Sequence, residues 1–313
     1  MERGHGRDRA QGNNGGRRET LQGCRSHAAR LQTSRPGRDR TKEAFVTSVG
    51  ERLFEANLSS PLQFDCTWGE VQLLCQCHPL REPNQDSCLC LDLGPDGLLL
   101  AVADGMGGHR HGQIASRLAL ESIEEQVILS LEDERGLRVG VMDGFELAQT
   151  TVQDLGSGAG TTLVVATVDQ EGLRTFHTGD SMALLLGGRG LIKHQTLDHS
   201  PTAYALRAGL IEESELLSHP DRHVLLSAIG HPGLQIDVGP AVPLAVQDTL
   251  LLASDGLTDN LTTDEIVRLT SRGTPREICA VLGERTQATM LASDERGKPD
   301  DLSLMLFRPN SAT

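Results

Sequence analysis

No run of apolar residues in this chain reaches membrane-spanning length. The longest, such as Leu98 to Ala103 and Leu163 to Val168, fall far short of the roughly 20 residues a transmembrane helix requires. Nor does an apolar core region follow the basic amino terminus, which argues against a secretory signal peptide and makes the cytoplasm the expected location. The seven cysteines are then expected as reduced thiols. Cations are scarce as well: 29 Lys and Arg face 43 Asp and Glu over 313 residues, a net charge of −14. An acid balance of that size makes neither nucleic acid nor a membrane surface an expected partner.

The first 42 residues lack Val, Ile, Phe, Tyr and Trp altogether. A segment rich in Arg, Gly, Asn and Gln cannot offset its ordering entropy by burial, so residues 1–61 are expected as a disordered or weakly ordered extension. With 11 Lys and Arg against 4 Asp and Glu, residues 1–42 carry +7, which leaves −21 on the remainder. A basic arm for nucleic acid or an acidic partner is the functional alternative; the absence of aromatics to stack bases counts against it.

The rest of the chain has the means to fold. Hydrophobic residues make up 38% and charged residues 23% of the whole, an ordinary globular balance, and one domain is expected over residues 62–309, with a tail at 310–313. Glu70 to His78, Ser87 to Leu93 and Leu98 to Ala103 read as an antiparallel meander, its last two strands joined by the turn-forming Gly94-Pro95-Asp96-Gly97. Gly112 to Leu131 places Ile114, Leu118, Ile123 and Val127 near helical spacing, and Arg138 to Asp154 supplies a second helix. Further strands are expected at Thr161 to Val168, Leu173 to Gly179, Met182 to Leu186, Val224 to Ala228, Thr249 to Ala253 and Leu302 to Phe307. Helices are expected at Thr263 to Ser271 and Arg276 to Leu291. Strand runs broken by helical pairs favour an α+β architecture of antiparallel sheets covered by helices. The polar residues 188–223 read as a surface insertion.

Acidic residues fall at the strand ends. Asp104-Gly105 closes one apolar strand, Asp255-Gly256 follows another, Asp86 begins a strand, and Asp300 and Asp301 precede the last. A single aspartate at such a place is most often a turn or cap. Five converging carboxylates would instead form a hard, oxygen-rich site suited to Mg²⁺ or Mn²⁺. Cys75-Gln76-Cys77 and Cys88-Leu89-Cys90 could on paper hold zinc through four thiolates, but their spacing is not that of known zinc signatures and core packing is the favoured reading. A redox-sensitive pair is a further alternative. His109, His199 and His219 read as structural hydrogen-bonding groups.

Seven ordered segments carry a resemblance. Arg81-Glu82-Pro83-Asn84-Gln85-Asp86, Val102-Ala103-Asp104-Gly105-Met106-Gly107-Gly108-His109, Gly160-Thr161-Thr162, Thr178-Gly179-Asp180-Ser181, Asp198-His199-Ser200, Ala253-Ser254-Asp255-Gly256-Leu257-Thr258-Asp259 and Asp300-Asp301 resemble the motifs of metal-dependent protein phosphatases of the 2C type, in their bacterial form. The resemblance spans about residues 66–308. It implies a four-layer α-β-β-α sandwich with a dinuclear metal site of two Mn²⁺ or Mg²⁺ at the sheet edges and a third, weaker ion. Asp104 would bridge both metals, the Gly105 carbonyl would bind one, and Asp255 and Asp300 would bind the other. Asp86 would orient a metal-bound water and Arg81 would receive the substrate phosphate. Asp259 would serve the third ion, with Asp154 the nearest acid to the partner position before Gly160. Gln85 stands where many relatives carry an acid, Met106 where animal members carry a histidine, Met182 where arginine is common and Asp301 where asparagine is common.

The implied activity is hydrolysis of phosphoserine and phosphothreonine in proteins, by direct attack of a metal-bridging hydroxide. Phosphorylated proteins and a cognate serine/threonine kinase are the implied partners of a monomer. Two alternatives stand beside it. One is a catalytically weak phosphatase-like regulator that binds phosphoproteins; the other is a phosphatase of the same fold dedicated to a sigma-factor regulator.

Overall fold

A strand turns alternate residues to opposite faces, and Leu98 to Ala103 is apolar at every position. Such a strand must be covered on both sides. The computed structural model, which describes residues 48–107, 111–212, 215, 219–222, 224–292 and 297–310, meets that demand with two sheets stacked face to face and helices on each outer surface.

In chain order the elements are β1 (Val49–Phe54), β2 (Leu62–Cys66), β3 (Gly69–Gln76), β4 (Asp86–Asp92), β5 (Leu98–Met106), α1 (His111–Glu132) and α2 (Leu137–Gln153). There follow β6 (Gly160–Thr161), β7 (Leu163–Asp169), β8 (Gly172–Thr178), β9 (Met182–Leu186), β10 (Ile192–Gln195), α3 (Pro201–Arg207) and β11 (Asp237–Val238). The chain closes with β12 (Thr249–Ala253), α4 (Asp255–Thr258), α5 (Thr263–Thr270), α6 (Pro275–Met290) and β13 (Leu302–Pro309). The first sheet runs β1-β4-β5-β7-β8-β11, with β6 paired to β5; the second runs β10-β9-β12-β13-β3-β2.

Three buried layers follow from the alternation. Cys88, Cys90, Leu98, Leu100 and Val102 face Val71, Leu73, Leu250, Leu252 and Met305 between the sheets. Leu89, Leu91, Leu99 and Ala101 turn outward onto Ala115, Ala119, Ile123, Val141 and Phe145 of α1 and α2. Leu74, Leu184, Leu251 and Leu304 meet Ile266, Ile278 and Leu282 of α5 and α6. The two outer helices of that last layer each begin with a capping box, Thr262 with Glu265 and Thr274 with Glu277. α1 and α2 cross closely because a Cβ on Gly140 would lie 2.7 Å from the Val127 Cα and one on Gly144 2.9 Å from the Ile123 Cα. Ile123 and Val127 are buried as the periodicity requires, while Ile114 and Leu118 lie on a partly buried flank.

Several expectations change. β3 does not pair with β4: the meander is divided, β3 joining β2 and β13 in one sheet and β4 joining β1 and β5 in the other. Both strands are apolar on two faces, so pattern alone could not assign their partners. Ordered structure begins ahead of Leu62, because β1 adds an edge to β4 and buries Leu53. An arm over residues 1–42 lies outside the described residues. Val224 to Ala228 is not a strand, although Ile229 makes an isolated bridge to Thr161. The segment 188–223 is not wholly a surface insertion: β10 extends the second sheet and His199 is fully buried, while the described residues from 207 to 212 are mostly exposed. Among the described residues, no helix is long and apolar enough to cross a membrane.

A chain beginning at Leu62 should be less stable than one beginning at Ser48. Loss of the β1 ladder and of buried Leu53 is expected to cost at least about 2 kcal/mol, read as a shift in the urea midpoint.

Candidate active site

The site begins with a turn. Gly94 and Gly97 adopt positive φ of 61° and 142° in the β4–β5 connection, conformations glycine tolerates best, and Asp92 accepts a hydrogen bond from the Gly94 N–H. That turn sets a register running from Asp92 opposite Leu98 to Asp86 opposite Asp104. Both aspartates share the parity of Cys88 and Val102, so they occupy the inter-sheet face at its open end. Across from them the second sheet contributes Asp255, just past β12, and Asp300 and Asp301, just before β13. Ser254 ties the two sheets: its hydroxyl donates to Asp86 Oδ2 at 2.7 Å and accepts from the Ser303 N–H at 3.0 Å.

Hydrogen bonds hold the backbone around each carboxylate. The Asp104 N–H donates to Thr162 Oγ1 at 3.0 Å, and the Asp104 carbonyl accepts from Thr161 Oγ1 at 2.8 Å and from the Thr162 N–H at 2.9 Å. Thr162 Oγ1 in turn meets Ser181 Oγ at 2.7 Å, so the Gly160-Thr161-Thr162 and Gly179-Asp180-Ser181 segments brace one residue. Gly105 must be glycine because a Cβ there would lie 2.1 Å from the Gly112 carbonyl oxygen. Asp301 accepts from the His78 N–H at 2.7 Å and the Gln85 N–H at 2.9 Å, which fixes the loop carrying Arg81. The Arg81 guanidinium lies 3.5 Å from Asp300 and 3.4 Å from Asp301, with its side chain 48% exposed.

Crowding of like charges dominates the electrostatics. Burial and then the neighbouring acids push Asp86 and Asp104 well above the usual carboxylate range, and the same causes raise Asp180. Burial, with Asp259 and Asp255 nearby, takes Asp198 up to about 7. Burial and Asp255 carry Asp259 up to about 6 in spite of Lys298. At Asp255 burial also acts to raise the pKa, but the Lys298 ammonium outweighs it and holds the carboxyl below its ordinary value. Lys298 Nζ lies 2.9 Å from Asp255 and 3.3 Å from Asp300 and also pairs with Asp259.

Two carboxylate oxygens, Asp86 Oδ1 and Asp255 Oδ1, are buried with no hydrogen-bond partner. Buried charge of this kind is costly unless paired or bound to a cation. A donor set made only of carboxylates fits a hard divalent ion such as Mg²⁺ or Mn²⁺. Beside the cluster a cavity of about 210 Å³ is lined by Asp180, Asp198, Ser200, Thr202, Arg222 and Asp259. It is walled in part by the 188–223 segment.

Arg81, Asp86, Asp104, Gly105, Asp255, Asp259 and Asp300 are thus brought to one end of the sandwich. Asp154 is not: it lies exposed at the C-cap of α2. Gln85 is buried and contributes its backbone, accepting from Ser116 Oγ at 2.6 Å. Lys298, Asp180 and Asp198 went unassigned in the sequence; the last two lie in the quoted motifs, whereas Lys298 carried no signal.

The cysteines do not form a four-thiolate site. Cys75 and Cys88 lie on facing sheets with their sulfurs 3.3 Å apart, free and buried in the core, while burial and then Asp301 push Cys77 up to about 11. His109 falls outside the described residues. His177, His199 and Asp237 cluster, but the hydrogen bonds assign their protons. His199 Nδ1 accepts from the Gly179 N–H at 3.3 Å and His177 Nε2 donates to the Leu197 carbonyl at 2.8 Å. His199 Nε2 then carries its hydrogen and points toward Asp237, 3.4 Å away, without closing a hydrogen bond.

A raised carboxyl pKa contributes stability that is present below the unfolded value and is lost as pH rises through the folded one. Without divalent ions the melting temperature should therefore fall between about pH 4 and pH 7, through Asp198 and Asp259. Asp198→Asn should flatten that slope and raise the stability of the ion-free protein above pH 7 by on the order of a few kcal/mol. Thermal melts across pH in chelator test both statements.

Comparison with known proteins agrees with this geometry. Residues 80–293 match the family model described as Protein phosphatase 2C. The serine/threonine phosphatase stp of Listeria monocytogenes is 32% identical over 238 residues, covering 72% of this chain and 90% of that protein. Protein phosphatase PhpP of Streptococcus pneumoniae is 30% identical over 250 residues, covering 77% and 98%. Among solved structures, the Ser-Thr phosphatase MsPP of Mycobacterium smegmatis superposes with a TM-score of 0.63 at 27% identity, covering 82% of this chain and all of that one. The ordered motifs, the paired sheets and these relatives agree, and the chain belongs to the protein phosphatase 2C family.

Proposed function

We propose that this chain is a metal-dependent protein serine/threonine phosphatase that hydrolyses phosphoserine and phosphothreonine by direct attack of a water-derived nucleophile, with no phosphoenzyme. The observation that carries this reading is the convergence of Asp86, Asp104, Asp255 and Asp300 from both sheets, with two of their buried oxygens left without a hydrogen-bond donor. Asp104, the Gly105 carbonyl, Asp255 and Asp300 would hold two ions, Mn²⁺ or Mg²⁺, and Asp86 would orient the attacking water. When bound, such a pair supplies Lewis acidity toward the phosphoryl oxygens and lowers the pKa of water to near neutrality.

The chain's own residues do the rest. Ser254 fixes one oxygen of Asp86, leaving the other to accept a proton from the attacking water. Thr161 and Thr162 hold Asp104 against the opposing sheet. Arg81, half-exposed on the rim, has five donors in a planar fork and only long contacts to Asp300 and Asp301, so it can turn its guanidinium to the incoming phosphate. The cavity beside the acids gives the protein segment around the phosphorylated residue a place to lie, and the 188–223 segment that walls it would select among substrates.

Phosphorylated proteins are the substrates, set against a cognate serine/threonine kinase, and the unit that acts is a monomer whose catalytic domain is the expected 62–309 with β1 (Val49–Phe54) added at its edge. The free thiols of Cys66, Cys75, Cys77, Cys88, Cys90 and Cys279 fit a reducing, cytoplasmic setting. The binding-only reading rests on no specific observation, since none of the principal acids is missing.

Purified protein should hydrolyse a phosphothreonine peptide with Mn²⁺ or Mg²⁺ and lose that activity in chelator. Asp104→Asn should reduce turnover by more than roughly 100-fold, beyond what loss of an outer partner costs. Arg81→Ala should act mainly through KM, raising it by roughly tenfold or more, as loss of a charge-assisted contact would. Folded, metal-loaded protein without turnover would overturn the reading in favour of a phosphoprotein-binding regulator.

A further inference from the structure

Lys298 is one of three lysines in the chain, and it stands inside the acidic cluster. Its Nζ meets Asp255 Oδ2 at 2.9 Å and Asp300 Oδ2 at 3.3 Å, and it also pairs with Asp259 Oδ2. Only about a fifth of the side chain is exposed, 21%. This is not a surface lysine that happens to swing inward, because its backbone is clamped on both sides. The Lys298 N–H donates to Asn260 Oδ1 at 2.9 Å and the Lys298 carbonyl accepts from Asn260 Nδ2 at 2.9 Å. The same amide nitrogen donates to the Gly256 carbonyl at 2.9 Å, and Asn260 is buried. The turn that positions Asp255 and Asp259 therefore positions the ammonium between them.

The contacts divide the cluster in two. Toward the inter-sheet space lie Asp86 and Asp104, together with the unpartnered Oδ1 atoms of Asp86 and Asp255; Lys298 reaches none of these oxygens. Toward the rim lie Asp259 and the Oδ2 atom of Asp255, which already hold a cation between them, and the same ammonium reaches Asp300 Oδ2 only at 3.3 Å. A divalent ion bound there would sit within about 2.0–2.6 Å of the same oxygens. The ammonium and the ion therefore exclude one another by volume as well as by charge.

We propose that Lys298 is a resident cation that fills the outer position between Asp255 Oδ2 and Asp259 and keeps a divalent ion out of it, so that this chain takes its ions only on the inner side, toward Asp86, Asp104 and Asp300. The proposal rests on the phosphatase reading for the role of the inner ions. It replaces the third, weaker ion expected at Asp259 with a side chain. It also explains how so many carboxylates stay together before any ion arrives.

The test is Mn²⁺ stoichiometry on the full chain, by equilibrium dialysis with electron paramagnetic resonance of the free ion. Lys298→Met and the closely shaped Lys298→Gln should each bind one Mn²⁺ more per chain than the wild type, while Lys298→Arg, which keeps the charge, should not. Adding Asp259→Asn to Lys298→Met should abolish the extra ion. In chelator the melting temperature of Lys298→Met should drop below that of the wild type, and saturating Mn²⁺ should restore it. Equal stoichiometry in wild type and both neutral variants would overturn the proposal, because the lysine would then be leaving the cluster whenever ions bind. Wild type that takes up Mn²⁺ without hydrolysing the phosphopeptide would instead count against the phosphatase reading and leave the stoichiometry comparison intact.

Discussion

Everything at the working end of this molecule follows from the mutual repulsion of carboxylates that the fold forces together. Asp86, Asp104, Asp180, Asp198, Asp255, Asp259 and Asp300 come from both sheets and from the connections between them. Buried charge of one sign is tolerated only with cations or protons in attendance. The raised pKa values of Asp86, Asp104, Asp180 and Asp198 are the protonic form of that compensation, and Lys298 is its side-chain form. A divalent ion is the third form, and the one that gives the arrangement a chemical use.

The surrounding structure is arranged to prevent the acids from relaxing apart. Ser254 links the sheets through Asp86, the two threonines after Gly160 pin Asp104, and Asp301 fixes the arginine-bearing loop. Behind them lies a core filled on both faces of both sheets, so a sheet cannot shift without disturbing three apolar layers. The rigidity of the sandwich is what holds the strand-end carboxylates at fixed separations.

Much of this was legible in the sequence, and the unread parts share a cause. Helical spacing located α1, α2, α5 and α6 within a residue or two, and solid apolar runs located β5, β7, β9, β12 and β13. Strand partners were not legible: β3 and β4 read as neighbours because they are adjacent in sequence, yet the loop through Arg81 carries the chain from one sheet to the other. β1, β10 and β11 are edge strands with mixed burial and weak alternation, so pattern gave them no voice. Within the site, Asp104 and Asp255 announced themselves by a following glycine at a strand end. Lys298 sits in a polar stretch with no periodicity or motif spacing of its own.

The sequence by itself determined the layered α+β class, through apolar strands that require cover on both faces, and it determined the carboxylate character of the site, because acids at strand ends keep their place wherever the strands go. Tertiary structure alone decided which acids meet. Asp86 lies opposite Asp104 because a glycine turn sets the register, and both face Asp255 and Asp300 because the sheets stack with those ends together. It also decided that the outer corner of the cluster is filled by an ammonium, since only folding brings Asn260 to residue 298 and so places Lys298 among the aspartates. Local pattern reports what each residue prefers. Long-range contact fixes which charges must share a space.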